Sequence, residues 1–385
     1  YLIIIFQSLH SISFNSFTIE FLIQLIPYFL IADVLLIPKK LYEFIKINFS
    51  SLIIFNFICF LSLIWTTDIK FTLASNLELY LTSFTLILIV FYSKQKKNGL
   101  INIVKFSMFA IYSLLLTGIF SIDIYNRTYL GLSPSTFSSI INYGSVCSLY
   151  LFSITKKKYH LLSFFIFLFV PLILGSLRGV LAILIGLSAY LGIFKSRKEI
   201  NFYLKVFSSL ILIGIIYLFL IMNIDISSPF LDFLSPFRIK RHILTNSQYL
   251  KLAIEDIISE RNFDISMHMY AGERLSSLIL GVRETLMKSP IVGFGHGNSK
   301  EIFELYGKSY SHNGLVDVFM GTGFIGLFFY LRFILTSIFL SVNKLNKDLI
   351  SWKRFSSLVF GIHLMVGLPF ESIPLTMILA LIISV

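Results

Sequence analysis

Long apolar runs broken by short polar stretches dominate this chain. The runs fall near 1–9, 17–37, 49–65, 77–93, 100–122, 136–154, 159–175, 177–194, 201–222, 314–341, 355–370 and 373–385. Most hold about 17–23 residues, enough for a helix to cross a hydrocarbon core of about 30 Å. The pattern predicts about twelve membrane-spanning helices. It also divides the chain into a helical part over 1–222 with about nine spans, a polar segment over 223–313, and closing spans over 314–385. The expected fold is an all-α polytopic membrane protein with one large external helical loop. Composition agrees: 56% of the 385 residues are hydrophobic and only 14% are charged, which excludes an ordinary soluble domain. Cys59 and Cys147 both lie inside apolar runs and imply neither a disulfide nor a metal site. Residue 1 is Tyr and both termini fall within apolar runs, so the true chain ends are expected to lie beyond this sequence.

The polar breaks carry the orientation signal. Lys39, Lys40 and Lys46 occupy one break, and Lys94, Lys96 and Lys97 the next on the same side. Lys156, Lys157 and Lys158 follow, then Lys195, Arg197 and Lys198, then Lys344, Lys347, Lys353 and Arg354. The alternate breaks hold little more than Lys70 and Arg127. Positively charged loops stay in the cytoplasm, so residues 223–313 are expected outside the cell. That segment holds ten Lys/Arg and ten Asp/Glu and has no net charge. The overall charge of +12 is therefore mostly a topology signal and gives no reason to expect nucleic-acid binding. An anion bound outside must be held by a few placed groups.

Two stretches of the outer segment have helical periodicity. In 246–261, Leu250, Ile254, Ile257 and Ile258 recur at helical spacing. In 273–288, Leu275, Leu278, Ile279, Val282 and Leu286 form one stripe, with Glu273 and Glu284 on the other side. Helices of this kind are expected to lie on the membrane surface or to cap the bundle. Arg274 and Arg283 flank the stripe on opposite edges, so one ligand is not expected to engage both. Lys288-Ser289-Pro290 should end the second helix. A glycine-rich stretch follows, Gly293-Phe294-Gly295-His296-Gly297-Asn298. With no strand before it, it reads as a flexible turn and not as a dinucleotide site. His296 fits either a second polar site group or a plain turn residue.

Three residues are the main candidates for chemistry. Arg178 sits in Gly175-Ser176-Leu177-Arg178-Gly179, where two apolar runs meet with almost no loop. A cation there is either a snorkelling arginine at a helix end or an anion site, because a planar guanidinium fork suits phosphate oxygens. Arg274 begins the second amphipathic helix and fits either a solvated surface charge or a ligand. His312, in Ser311-His312-Asn313, fits either an interfacial histidine or a proton acceptor, and Asp317 is placed to orient its ring. Asn313 suits a helix cap. Tyr310, Arg283, Asn313 and Glu371 are secondary candidates; Glu371 closes a late span, where an acid is a functional suspect. No HExxH, CxxC or paired Asp-x-Asp stands in the outer segment, so no metal or other cofactor is expected.

In their order, these motifs resemble the O-antigen ligase and polymerase family of bacterial envelope polysaccharide synthesis. The resemblance rests on about twelve spans, the turn Ser176-Leu177-Arg178-Gly179 and one large late outer loop. It continues with Gly272-Glu273-Arg274 at a helix start, Pro290-Ile291-Val292-Gly293-Phe294-Gly295, and Ser311-His312-Asn313 at the loop's end. The Gly321-Thr322-Gly323-Phe324-Ile325-Gly326 run after it is also similar, and Gly131 through Pro134 resembles another family turn. The well-matched region is about 170–330; the first third matches only in hydropathy.

The resemblance implies a metal-independent inverting glycosyltransferase of GT-C type in the bacterial cytoplasmic membrane. Its donor would be an oligosaccharide on undecaprenyl diphosphate, with the active site facing outside. Arg178 and Arg274 would hold the diphosphate, and His312 would take the proton of the attacking hydroxyl. The leading expectation is a repeat-unit polymerase using a second lipid-linked glycan as acceptor, because polymerases are the most numerous and divergent members. A ligase acting on a lipid A core and a protein O-oligosaccharyltransferase share the donor and remain alternatives. The bilayer, a chain-length regulator and a flippase are the implied partners. A transporter or flippase is the different-class alternative; it expects ionisable groups at mid-membrane along several spans, and repeated halves. Here the charges gather at one outer face and no repeat is evident. Arg332, within a span, is the exception.

Overall fold

The computed structural model describes residues 38–96, 98–120, 122–123, 128–129, 134–173, 177–192, 273–298, 303, 313–339, 347–365 and 372–385. They form helices α1 (Pro38–Asn48), α2 (Ser50–Leu61), α3 (Ile69–Gln95), α4 (Gly99–Phe120), α5 (Pro134–Thr155), α6 (Lys158–Ile173) and α7 (Leu177–Gly192). The series continues with α8 (Glu273–Lys288), α9 (Gly314–Phe339), α10 (Lys347–Met365) and α11 (Ile373–Ser384). Among the described residues the only strand pairing is a two-residue ladder, Ile122–Asp123 with Thr128–Tyr129. The expected span over 201–222 and the expected helix over 246–261 lie outside the described residues.

Three described helices are long and apolar enough to cross a membrane: Ile69–Gln95, Phe137–Thr155 and Gly314–Ile338. A fourth span is possible by length if α1 and α2 count as one, but they meet at 87°. The protein is thus all-helical and membrane-embedded. Its outward faces agree, because Phe57, Phe60, Phe109, Leu162, Ile185 and Phe328 all stand exposed. So much apolar side-chain surface suits lipid and not water.

The bundle is organised around its two most buried helices. α11 is apolar on every side, and Leu375, Ile378, Leu379, Ala380, Leu381 and Ile382 are all buried. A helix with no polar face belongs in a core. α5 is buried on all sides too, yet carries Ser138, Ser139, Asn142, Ser145 and Ser148. Several of its polar groups bond locally or across the bundle. Ser148 Oγ donates to the Gly144 carbonyl at 2.9 Å, and Tyr143 Oη donates to Ser107 Oγ on α4 at 2.7 Å. Trp352 of α10 donates its indole N–H to the Val146 carbonyl at 2.9 Å and packs edge-on against Tyr150. α2 lies against α9 through Phe55 on Tyr330 and Phe49 on Phe333.

The Lys-rich segments come together at one end. Lys156, between α5 and α6, is paired with Asp348 at the start of α10. Ser93, near the end of α3, donates to Ser384 at the end of α11 at 2.7 Å. Lys94 stands 5.9 Å over the ring of Phe44 in α1. One expectation is corrected here. Lys39, Lys40 and Lys46 lie not in a loop but on α1, which turns across the end of α2. Leu41 is buried, while Lys39, Lys40 and Lys46 stay exposed. Such a helix suits a membrane interface: apolar contact on one side, charge on the other. Arg332 is exposed on α9, seven residues before Phe339, from where a long side chain can snorkel toward the same end.

Lys353 is the cation that this end buries. It precedes the apolar run over 355–370, and burial pushes its ammonium down to about 8, with the Lys94 charge adding to the shift. The unfolded lysine titrates near 10.5 and so binds more protons between those values. Folding stability should therefore rise as pH climbs from about 8 toward 10.5. The penalty is present in full below that window. Thermal melts in detergent should show Lys353→Met raising Tm at pH 7, with the gain shrinking as pH rises; a gain that stays constant with pH contradicts the assignment.

Candidate functional site

The end opposite the lysines is built from polar backbone and small side chains. Its centre is a break in α9. Gly323 has φ 62° and ψ −161°, which no helix tolerates, so the ladder of backbone hydrogen bonds is interrupted there. The glycine-rich stretch fills the gap. Phe294 N–H donates to the Met320 carbonyl at 2.7 Å and Gly295 N–H to the Gly321 carbonyl at 3.0 Å. In return, Phe324 N–H donates to the Pro290 carbonyl at 2.9 Å and Ile325 N–H to the Ile291 carbonyl at 3.3 Å. Each strand of backbone thus supplies what the other lost. The approach is close enough that a Cβ on Gly293, itself at φ +70°, would lie 2.5 Å from the Met320 oxygen.

The same stretch is tied to the α2–α3 connection. His296 N–H donates to Ser62 Oγ at 2.9 Å, and Asn298 Nδ2 donates to Thr66 Oγ1 at 2.8 Å and Thr67 Oγ1 at 2.7 Å. Asp68 caps α3 by accepting from Phe71 N–H at 2.9 Å. The expected flexible turn is therefore corrected: residues 290–298 are pinned on two sides. His296 is buried within this packing and belongs to the docked turn.

The next correction concerns α8. Its ends fall at Glu273 and Lys288, as periodicity predicts, but its fully buried positions are not those of the stripe, of which Leu278 and Val282 pack partly buried beside α9 and Leu286 is exposed. Ser277, Leu280, Gly281, Glu284 and Thr285 are buried, whereas Leu286 and Met287 are exposed. Ser277, Gly281 and Thr285 recur every four residues, and a Cβ on Gly281 would lie 2.8 Å from Val316 Cγ1 of α9. Small residues that allow close backbone approach mark the contact face. Glu284 turns inward with them and pairs with Lys288 at 2.7 Å. α8 thus packs along α9, not flat on a surface.

The contact register also places Arg274. Gly281 lies at Val316 and Met320, and Pro290 bonds to Phe324, so α8 and the first part of α9 run in the same sense. The first turn of α8, which carries Arg274, is therefore directed toward the Asn313 end. Arg283 is exposed on α8, away from the Gly281 face. Asn313 caps α9, its Oδ1 accepting from Leu315 N–H at 3.0 Å and Val316 N–H at 3.1 Å. Its Nδ2 reaches across to donate to the Met365 carbonyl at the end of α10, at 2.7 Å.

Arg178 lies in the first turn of α7. The carbonyl of its neighbour Gly179 accepts from Asn142 Nδ2 of α5 at 3.0 Å. Asn142 Nδ2 also lies 2.8 Å from His363 Nε2 of α10, and His363 Nδ1 is 3.5 Å from Ser139 Oγ. The residues adjoining Arg178 and His312 are thus both tethered to the last turn of α10, between His363 and Met365. Tyr310, His312 and Glu371 lie outside the described residues, as does the proposed partnership of Asp317 with His312. Among the described residues no cluster of three His, Cys, Asp or Glu could hold a metal.

Asn142 and His363 went unnoticed in the sequence. The signal was available: each is a strongly polar residue inside an apolar run, the same rule that singled out Glu371. No protein-family model matches this chain, and no curated protein is significantly similar to it.

The break in α9 generates a direct prediction. A Cβ at position 323 would overlap the Ile291 carbonyl at a backbone angle that disfavours it. Gly323→Ala should cost at least about 2 kcal/mol. Thermal melts of the detergent-solubilised protein should show a clear fall in Tm, with protease cleavage appearing within 290–298. An unchanged melt would mean that the break is not required.

Proposed function

We propose that this protein is a polysaccharide repeat-unit polymerase of about twelve spans, of GT-C type, in a bacterial cytoplasmic membrane. It moves a glycan from undecaprenyl diphosphate to a sugar hydroxyl of a second lipid-linked glycan at the outer face. The observation that carries this reading is the order of motifs at Ser176–Gly179, Gly272–Arg274, Pro290–Gly295 and Ser311–Asn313. Their placement supports it. Gly179 bonds to Asn142 of α5, which in turn faces His363 of α10; Asn313 bonds to Met365 in the same turn of α10; and the first turn of α8, which carries Arg274, is directed toward that end.

In the mechanism, Arg178 and Arg274 bind the diphosphate and offset the charge that grows on it as the sugar leaves. His312 accepts the proton of the attacking hydroxyl. The hydroxyl oxygen forms the new bond to the anomeric carbon as the bond to the diphosphate oxygen breaks. Lipid-exposed aromatic and aliphatic faces accommodate the polyprenyl chain.

Purified protein reconstituted with a defined lipid-linked glycan should lengthen it, giving a ladder on a gel. Supplying a core-lipid acceptor in parallel distinguishes a ligase, which would make a single transfer product there and no ladder. His312→Ala should lower turnover at least about a hundredfold with the protein still folded. Arg178→Ala and Arg274→Ala should each weaken donor binding. Substantial turnover in His312→Ala removes the proton-acceptor role, and unchanged donor affinity removes the arginines.

A further inference from the structure

The bundle holds a buried polar chain that the proposed reaction does not use. Asn142 and His363 are both fully buried, facing each other between α5 and α10. Hydrogen-bond roles along the chain are fixed in sequence. The Gly179 carbonyl can only accept, so Asn142 must present its NH2 to it. The same NH2 faces His363 Nε2 at 2.8 Å, so Nε2 must be the accepting, unprotonated nitrogen. Nδ1 then carries the hydrogen and points at Ser139 Oγ, 3.5 Å away. Turning the Asn142 amide over would set oxygen against oxygen at Gly179. One tautomer of His363 and one orientation of Asn142 therefore satisfy the set.

Two polar side chains in a bundle core are costly unless something specific is gained. Asn142 holds the carbonyl of the residue after Arg178, at the start of α7, and His363 holds Asn142. We propose that Asn142 and His363 are positioning residues that hold the first turn of α7, and with it Arg178, against the end of α10. This deepens the reading of Arg178 as a diphosphate ligand and, for its effect on the reaction, rests on that reading. α10 would then set the spacing between the arginine and the His312 segment, because Asn313 is bonded to the same helix end at Met365. A fork that binds phosphate oxygens works only when placed to a fraction of an ångström, so the position of a helix turn bears directly on donor affinity.

Two substitutions separate this role from generic packing. In His363→Gln the amide oxygen can take the place of Nε2 and accept from Asn142. In His363→Asn the shorter side chain cannot reach that position, although it is equally polar. The turn itself is followed by thiol labelling of Arg178→Cys, read clearly because Cys59 and Cys147 are both fully buried. Labelling rates should change about tenfold on adding His363→Asn and return near the starting value with His363→Gln. Equal rates in all three backgrounds overturn the positioning role, and if His363→Asn does not fold, Asn142→Ser with Asn142→Gln serves the same comparison.

The functional arm measures donor KM and kcat with Arg178 intact. His363→Asn should raise donor KM about tenfold with little change in kcat, and His363→Gln should not. The effect should vanish when Arg178→Ala is already present. An undiminished effect in that background shows that His363 acts through something else and overturns the proposal. If Arg178→Ala alone leaves donor KM unchanged, the diphosphate reading fails, while the labelling experiment still decides whether the pair holds the turn.

Discussion

In hydrocarbon, a polar group that loses its partner has no water to replace it, and this constraint arranges most of the fold. It explains why the interruption of α9 at Gly323 is tolerated: the Pro290–Gly295 backbone provides the donors and acceptors that the broken helix gives up. It explains why Ser148 folds back on its own helix and why Trp352 seeks the Val146 carbonyl. It also separates the molecule into two unlike ends. One end gathers lysines that can reach water along flexible stems. The other is a mesh of short hydroxyl, amide and backbone contacts with little freedom.

Apolar patterning was a good guide to the positions of helices and a poor guide to their faces. The spans around 77–93, 136–154 and 314–341 were legible because their runs are long and uninterrupted. α1 was not, because three lysines in eleven residues read as a loop when the apolar residues between them are too few to form a run. α8 shows the deeper difficulty. Its boundaries follow from capping and proline signals, but the expected orientation assumed that apolar residues seek the protein interior. Close backbone approach matters as much: Ser277, Gly281 and Thr285 are buried together with Leu280, while Leu286 and Met287 turn outward.

The candidate site was legible as a set of motifs and not as a geometry. Nothing in local sequence says that Asn142 links Gly179 of α7 to His363 of α10, or that Asn313 reaches the same turn of α10 at Met365. Nor does it say that a glycine-rich stretch with the look of a loose loop is a wedge for a broken helix. Such facts depend on pairings between distant segments, which hydropathy does not encode. What hydropathy does mark is the cost of each buried polar residue, as at Asn142, His363 and Lys353.

The docking of the glycine-rich stretch also sets an order of assembly. Ser62 and His296, which it joins, are separated by 234 positions. At ribosomal speeds that interval lasts on the order of ten to fifty seconds. The α2–α3 connection is thus made early and waits through the insertion of several further helices before its partner exists. Two of its hydroxyls have local partners in the meantime: Ser62 donates to the Cys59 carbonyl at 2.6 Å, and Thr66 pairs with Thr72 at 2.7 Å. The early turn is thus part-satisfied by its own helices, and the late wedge adds the remaining bonds through His296 and Asn298.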